Sequence, residues 1–254
     1  MLILLTNDDG INALGLTELR RAVSEIGRTI VVAPHSEMSA TSHSLSLHRP
    51  LTVRHLDAHT ISVEGTPTDC VLIALQELLD ETPCLLISGI NHGPNLGHDV
   101  NYSGTVAAAI EGSLWGVPSI SISLAVRQGT HFDVAGEIAA QLVQDALDRG
   151  IPEGTVLNVN VPDKPRSQLA GIKITRLSRR IYGDAVRRCD ERNGAKCVRI
   201  GKDSPILDIS DGTDVMAVEN SFVSITPLCT DTTNYRLIGE LKEWEQSLGN
   251  TLMK

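Results

Sequence analysis

The chain has 254 residues, of which 41% are apolar and only 3% aromatic, and its formal net charge is -9. That length suits one large domain or a domain with an appendage, packed mainly by small aliphatic side chains. The acidic balance argues against a nucleic-acid polymer or a membrane surface as partner, since both attract basic proteins.

The first element is an apolar run, Leu2-Ile3-Leu4-Leu5, which fits a strand buried on both faces as in a parallel sheet. It ends in Thr6-Asn7-Asp8-Asp9-Gly10, where glycine lets the backbone turn. Leu16, Leu19, Ala22, Val23 and Ile26 then recur at helical spacing, with Gly27 as a stop. Thr29 to Ala33 is a β-branched run closed by Pro34. The polar stretch from His35 to His48 is long for a connection in a compact α/β unit, and Leu51 to Arg54 and Thr60 to Val63 read as short strands. Thr66-Pro67 is a cap followed by proline at the first helical position, opening a helix that runs to Leu79.

Leu85 to Ile87 is the next buried strand, and the Gly-rich stretch from Ser88 to Asn101 reads as a loop. Ser103 caps an alanine-rich helix over Thr105 to Leu114. Ser119 to Leu124 is a strand, His131 to Leu147 an amphipathic helix, and Val156 to Val161 a strand before Pro162. Such alternation predicts a doubly wound parallel sheet. Near residue 165 the pattern changes. Arg176, Arg179, Arg180, Arg187, Arg188 and Arg192 make a local basic segment, read as a solvated β-rich extension. Phe222 to Thr226 is a strand and Leu237 to Leu248 a terminal helix.

The five cysteines (Cys70, Cys84, Cys189, Cys197 and Cys229) lack C-x-x-C spacing, so neither a disulfide framework nor a zinc site is expected, although Cys189 and Cys197 are close enough for a local clip. Reduced thiols point to the cytoplasm. No basic segment precedes the first apolar run and no apolar stretch is long enough to cross a bilayer, so a soluble protein is expected.

Turns after parallel strands meet at one edge of the sheet, which brings residues remote in sequence to one cleft. Asp8 and Asp9 repel each other there, and a divalent cation bound through oxygen relieves that repulsion. Asn, Asp and Gly are also ordinary turn formers, so this pair alone does not decide the matter. The serines of the second turn offer hydroxyls to a metal or to phosphate, and the asparagines of the third offer a hard amide oxygen and an anion-binding NH2. Ser103-Gly104-Thr105 opens a helix whose free N–H groups and dipole favour phosphate. His43, His48, His92 and His98 lie in or near these loops, but none is assigned a catalytic role. Asp69 is explained by helix capping.

Taken together, Leu4-Leu5-Thr6-Asn7-Asp8-Asp9-Gly10, Gly65-Thr66-Pro67-Thr68-Asp69-Cys70, Ser88-Gly89-Ile90-Asn91, Gly93-Pro94-Asn95-Leu96-Gly97 and Tyr102-Ser103-Gly104-Thr105 resemble the SurE family, as do the later strings Leu157-Asn158-Val159-Asn160-Val161-Pro162 and Val223-Ser224-Ile225-Thr226-Pro227-Leu228. The resemblance spans nearly the whole chain in the expected order. It implies an α/β fold: a Rossmann-like, doubly wound, mostly parallel sheet in three αβα layers, with a C-terminal β-rich extension and a terminal helix. The expected boundaries are 1–165 for the catalytic core and 166–254 for an oligomerisation extension that exchanges elements between protomers.

The implied activity is a 5′-nucleotidase that releases phosphate from nucleoside monophosphates, with 3′-monophosphates and polyphosphate as compatible further substrates. By position, Asp8, Asp9, Ser39 and Asn91 would bind one divalent ion per subunit, Mg2+ or Mn2+. Asn95, Ser103, Gly104 and Thr105 would surround the phosphate, with Asp8 and Asp9 as the catalytic pair. The nucleophile is either water oriented by the metal or a carboxylate, or Asp8 itself. A homodimer or homotetramer is implied. One departure stands out: the family usually has glycine after the metal-binding serine, and this chain has Ala40. Two rival readings are a phosphorylatable receiver-like module, with Asp57 as its further aspartate, and a nucleotide-binding protein without catalysis.

Overall fold

The computed structural model describes the chain except residues 126–129, 182–185, 193–194, 201–205 and 253–254. In chain order the elements are β1 (Leu2–Thr6), α1 (Leu14–Val23), β2 (Arg28–Pro34), β3 (Val53–Asp57), β4 (Thr60–Val63), α2 (Pro67–Ile73), β5 (Leu85–His92), α3 (Gly104–Leu114), β6 (Ser119–Leu124), α4 (Phe132–Arg149) and β7 (Thr155–Val161). The C-terminal part adds β8 (Gly171–Ile174), β9 (Arg180–Ile181), β10 (Val186–Arg192), β11 (Ala195–Ile200), β12 (Ile206–Leu207), α5 (Asp214–Glu219), β13 (Phe222–Cys229) and α6 (Tyr235–Leu252).

Among the described residues nine strands form one sheet, in the order β3-β4-β2-β1-β5-β6-β7-β13-β8. The run from β4 to β7 is parallel throughout, while β3 and β13 pair antiparallel with β4 and β7. The chain starts at β1 in the middle and winds outward in both directions, so a switch of direction lies beside β1. Ile3, Leu4 and Leu5 are wholly buried, as a strand covered on both faces requires. Alternate residues feed two cores. Ile3, Leu5 and Ile87 pack with Leu16 and Leu19 of α1 and with Ile138 of α4. On the opposite face Leu4, Val32 and Leu86 pack with Val71 of α2 and Ala108 of α3. The result is the expected three-layer α/β architecture. Burying each large aliphatic side chain stabilises the fold by about 1.5–3 kcal/mol.

Helix starts follow the sequence signals. Thr66 and Asp69 form a reciprocal capping box, with Pro67 in the first turn, and Ser103 Oγ accepts the Val106 N–H of α3 at 3.1 Å. Three expectations change, the first being that the α-helix opened at Pro67 ends at Ile73 and passes into a π-helical turn over Ala74–Leu78. Ser88 to His92 is not loop but the continuation of β5, because cross-strand pairing with β6 resumes at Asn91 and His92 after a bulge. The helix α5 has no counterpart in the expected elements, since six residues are too few to show a helical period. The basic segment is β-rich as read, with β10 and β11 in an antiparallel pair that sets Cys189 opposite Cys197. The side chains of Cys189, Arg180, Arg187, Arg188 and Arg192 lie outside the described residues, and Cys197 is a free thiol.

Candidate active site

The turns after β1, β2 and β5 and the start of α3 meet around one cavity of about 410 Å3. Asp8, Ser39, Asn91, Asn95 and Ser103 all line it, together with Ala40, His92, Gly93, Pro94, Asp99 and Tyr102. Five residues predicted from four stretches of sequence are therefore brought together. The turn that carries the aspartates is built by Asn7, whose buried Nδ2 donates to Gly10 O at 2.9 Å. The long second turn is tied to it where Met38 N–H donates to Asp8 O at 2.7 Å.

Asp8 is only 4% exposed. Its Oδ1 accepts a hydrogen bond from Thr105 Oγ1. Gly104 makes that approach possible: a Cβ there would lie 2.9 Å from Asp8 Cβ and 3.1 Å from Pro67 Cγ. Burial pushes the Asp8 carboxyl up from 3.8 to about 6, with the Asp9 charge adding to the rise and the Thr105 bond opposing it. Asp9 is not in the cavity lining. It sits beside the rim, where Oδ2 accepts the His92 N–H at 2.9 Å and lies 3.5 Å from His92 Nδ1. The His92 ring in turn meets Phe132 edge-on, with centroids 4.4 Å apart.

Asn91 Nδ2 donates to Gly93 O at 2.9 Å, which leaves the amide oxygen, the atom a hard cation takes, outside that bond. Ser39 Oγ donates to Glu37 Oε1 at 2.8 Å rather than to either aspartate. Ala40 adopts a φ of 57°, the left-handed conformation that favours glycine, and Ser42 has a φ of 56°. Ser42 fastens the second turn to the third, donating from its N–H to Tyr102 O at 3.1 Å and from Oγ to Asn101 O at 2.6 Å. His43 reaches from the same turn to Glu111 of α3 at 2.7 Å. Burial pushes Glu111 up, but the bonds from His43 and Trp115 outweigh it and hold this carboxyl below its usual range.

Asn95 is held by residues to which the sequence reading gave no role. Its N–H donates to Asn160 Oδ1 at 2.8 Å, and its carbonyl accepts from Asn158 Nδ2 at 2.9 Å and from Asn160 Nδ2 at 3.1 Å. Its own Nδ2 donates to Ser123 Oγ at 2.9 Å. The signal was present as two asparagines at alternate positions of an apolar strand, both fully buried here. Asp57 does not join the site. It lies on the outermost strand, separated from β1 by β4 and β2, and accepts from His59 N–H and Thr60 Oγ1.

A family model described as Survival protein SurE matches residues 3–184. The chain belongs to the SurE family. The 5′-nucleotidase SurE of Geobacter sulfurreducens is 46% identical over 249 residues, covering 97% of this chain and 95% of that protein. The 5′-nucleotidase SurE of Laribacter hongkongensis is 45% identical, covering 96% and 99%. The crystal structure of the SurE protein from Aquifex aeolicus superposes with a TM-score of 0.87 at 38% identity, covering 96% of this chain and all of that one. The SurE fold therefore extends over the C-terminal part as well, including β13, which lies between β7 and β8 in the main sheet.

Proposed function

We propose that the chain is a metal-dependent 5′-nucleotidase, hydrolysing nucleoside 5′-monophosphates to nucleoside and phosphate. The observation that carries this reading is the cavity in which a buried carboxylate, Asp8, shares one lining with Ser39, Asn91, Asn95 and Ser103 from other turns. Among the described residues no three His, Cys, Asp or Glu side chains are arranged to hold a metal ion by themselves. The donors available are two carboxylates, a hydroxyl and an amide oxygen from Asp8, Asp9, Ser39 and Asn91. This all-oxygen set fits one Mg2+ or Mn2+ ion and poorly fits a soft metal. The raised Asp8 carboxyl is the electrostatic burden that such an ion removes.

When bound, the ion supplies a Lewis acid for a phosphoryl oxygen and offsets the charge that develops during in-line displacement. The phosphate rests against Asn95 and the start of α3, where Ser103, Gly104 and Thr105 present the helix N-terminus. Thr105 has a second task, holding Asp8 through its hydroxyl. Asp9, beside the rim, would orient the attacking water.

Residues 166–254 act as an oligomerisation extension that also adds β13 and β8 to the edge of the sheet built by residues 1–165, giving a homodimer or homotetramer. This is supported by α6, where Leu237, Ile238, Leu241, Trp244 and Leu248 are all exposed at helical spacing. A cytoplasmic location is supported by free thiols at Cys70, Cys84, Cys197 and Cys229. Among the described residues no helix is long and apolar enough to cross a membrane.

The test is phosphate release from nucleoside 5′- and 3′-monophosphates and polyphosphate, with Mg2+ or Mn2+ and then with EDTA. Release that needs the metal and favours 5′-monophosphates supports the reading. Binding of nucleotide without release under any metal overturns it in favour of a non-catalytic binder.

A further inference from the structure

Asp214 is fully buried, lies outside the cavity and has no part in the chemistry above. Its carboxylate is satisfied by backbone N–H groups from three places. Oδ2 accepts from Gly97 at 2.7 Å, and Oδ1 accepts from Ser178 and from Val215, each at 2.8 Å. Its own backbone is fixed, since Asp214 N–H donates to Arg176 O at 2.9 Å while Arg176 N–H donates to Gly212 O at 3.0 Å. A buried carboxylate bonded only at its base and flank would be a local cap. This one reaches 117 residues back along the chain to a loop that lines the cavity.

Gly97 stands two residues after Asn95, and the same loop supplies Gly93, Pro94, Asp99, Tyr102 and Ser103 to the cavity. Asn158 and Asn160 fix the loop at Asn95, and Ser42 fixes it at Asn101 and Tyr102. Between those points the Asp214 bond to Gly97 ties the loop to the C-terminal part. Packing there is close: a Cβ on Gly97, whose φ is 54°, would lie 2.6 Å from Ser178 Oγ and 2.8 Å from Ser178 O.

We propose that Asp214 is a positioning residue for the phosphate-binding loop, clamping Gly97 so that Asn95 and Ser103 keep the spacing an anionic phosphate needs. The inference rests on the phosphatase reading of this cavity. It assigns the C-terminal part a direct share in substrate affinity. Of the four residues assigned to the metal, Asp8, Asp9 and Ser39 belong to other turns and Asn91 lies within β5, before the clamped segment, so the clamp governs phosphate more than metal.

Asp214→Asn tests it with almost no change in volume. A carboxamide has one acceptor oxygen. If that oxygen keeps Ser178 and Val215, the NH2 faces the Gly97 N–H, donor against donor. Gly97→Ala disturbs the same joint from the loop side with the carboxylate intact. In both variants the dissociation constant for inorganic phosphate, read by calorimetry with Mn2+ present, and KM for nucleotide are expected to rise about tenfold, while kcat and Mn2+ affinity stay within about twofold. Phosphate binding unchanged within about twofold overturns the proposal, and so does Mn2+ affinity that falls as far as phosphate affinity, which would mark a general loss of structure.

Hydrogen exchange on the unmodified protein decides the matter if neither variant folds. The Gly97 amide exchanging as slowly as those of β1 supports the clamp, and exchange at the rate of open loops overturns it. Failure of the wild-type protein to release phosphate would refute the nucleotidase reading alone, because Gly97 protection and phosphate binding are read without turnover.

Discussion

Replacing Asp8 by Asn removes the charge that the fold accommodates least well. Burial, with Asp9 alongside, lifts this carboxyl from 3.8 to about 6 despite the hydrogen bond from Thr105. The folded state thus holds the Asp8 proton more tightly than the unfolded chain does. Ionisation therefore destabilises the metal-free fold as pH rises from about 4 through 6, and the full penalty above that range is about 3 kcal/mol. An amide escapes the penalty, and its oxygen still accepts from Thr105. Metal-free Asp8→Asn is expected to be more stable than wild type by about 1–3 kcal/mol at about pH 8, with the gain fading toward about pH 4. Urea unfolding in EDTA at several pH values measures this directly. A variant no more stable than wild type at the higher pH, or a gain independent of pH, would refute the account of a desolvated carboxylate. The same variant is expected to lose phosphate release, so the site would be more stable and inactive together.

Thr105→Val removes the hydroxyl that bonds Asp8, so the carboxyl rises further, and the pH at which half of Mn2+ binding is lost should move up by about one unit. An unmoved titration would show that the bond does not hold Asp8. Ala40→Gly relieves a left-handed alanine, a gain of about 1–2 kcal/mol that the more flexible unfolded glycine offsets by about 0.4–1 kcal/mol. Thermal melts should show equal or slightly higher stability, and a loss above about 1 kcal/mol would refute the strain at φ 57°. Asn160→Ala leaves the Asn95 N–H without its acceptor and should cost about 1–3 kcal/mol in urea unfolding while weakening phosphate binding. A change in stability below about 0.5 kcal/mol would mean that Asn95 is held by other groups.

The central sheet was legible because its strands are apolar runs closed by sharp turn signals; Ser119–Leu124 is found at its expected limits. The stretch from Ser88 to His92 was not, because Gly89, Asn91 and His92 prefer turns by themselves and are strand only through their neighbour β6. The candidate site was legible as four turns and an order of elements, since parallel winding fixes which ends of the strands meet. The resemblance named the residues, and the cavity gathers Asp8, Ser39, Asn91, Asn95 and Ser103. The supports beneath them were hidden to different degrees. Asn158 and Asn160 announce themselves as polar residues in a buried strand, whereas nothing near Asp214 in sequence points to Gly97. A contact between residues so far apart carries no local pattern.

The clasp on Asn95 has a consequence for synthesis. A nascent chain emerging from the ribosome exposes Asp8 and Asp9 first, and by residue 105 it has every side chain assigned to metal or phosphate. Yet the backbone of Asn95 finds its partner only when Asn160, 65 residues later, has been made and threaded into the sheet. Until then the loop beside the acidic turn lacks its backbone tie at Asn95, although Ser42 already reaches Asn101 and Tyr102. Fragments ending before that strand carry every residue assigned to the site but lack the tie that fixes the backbone of Asn95.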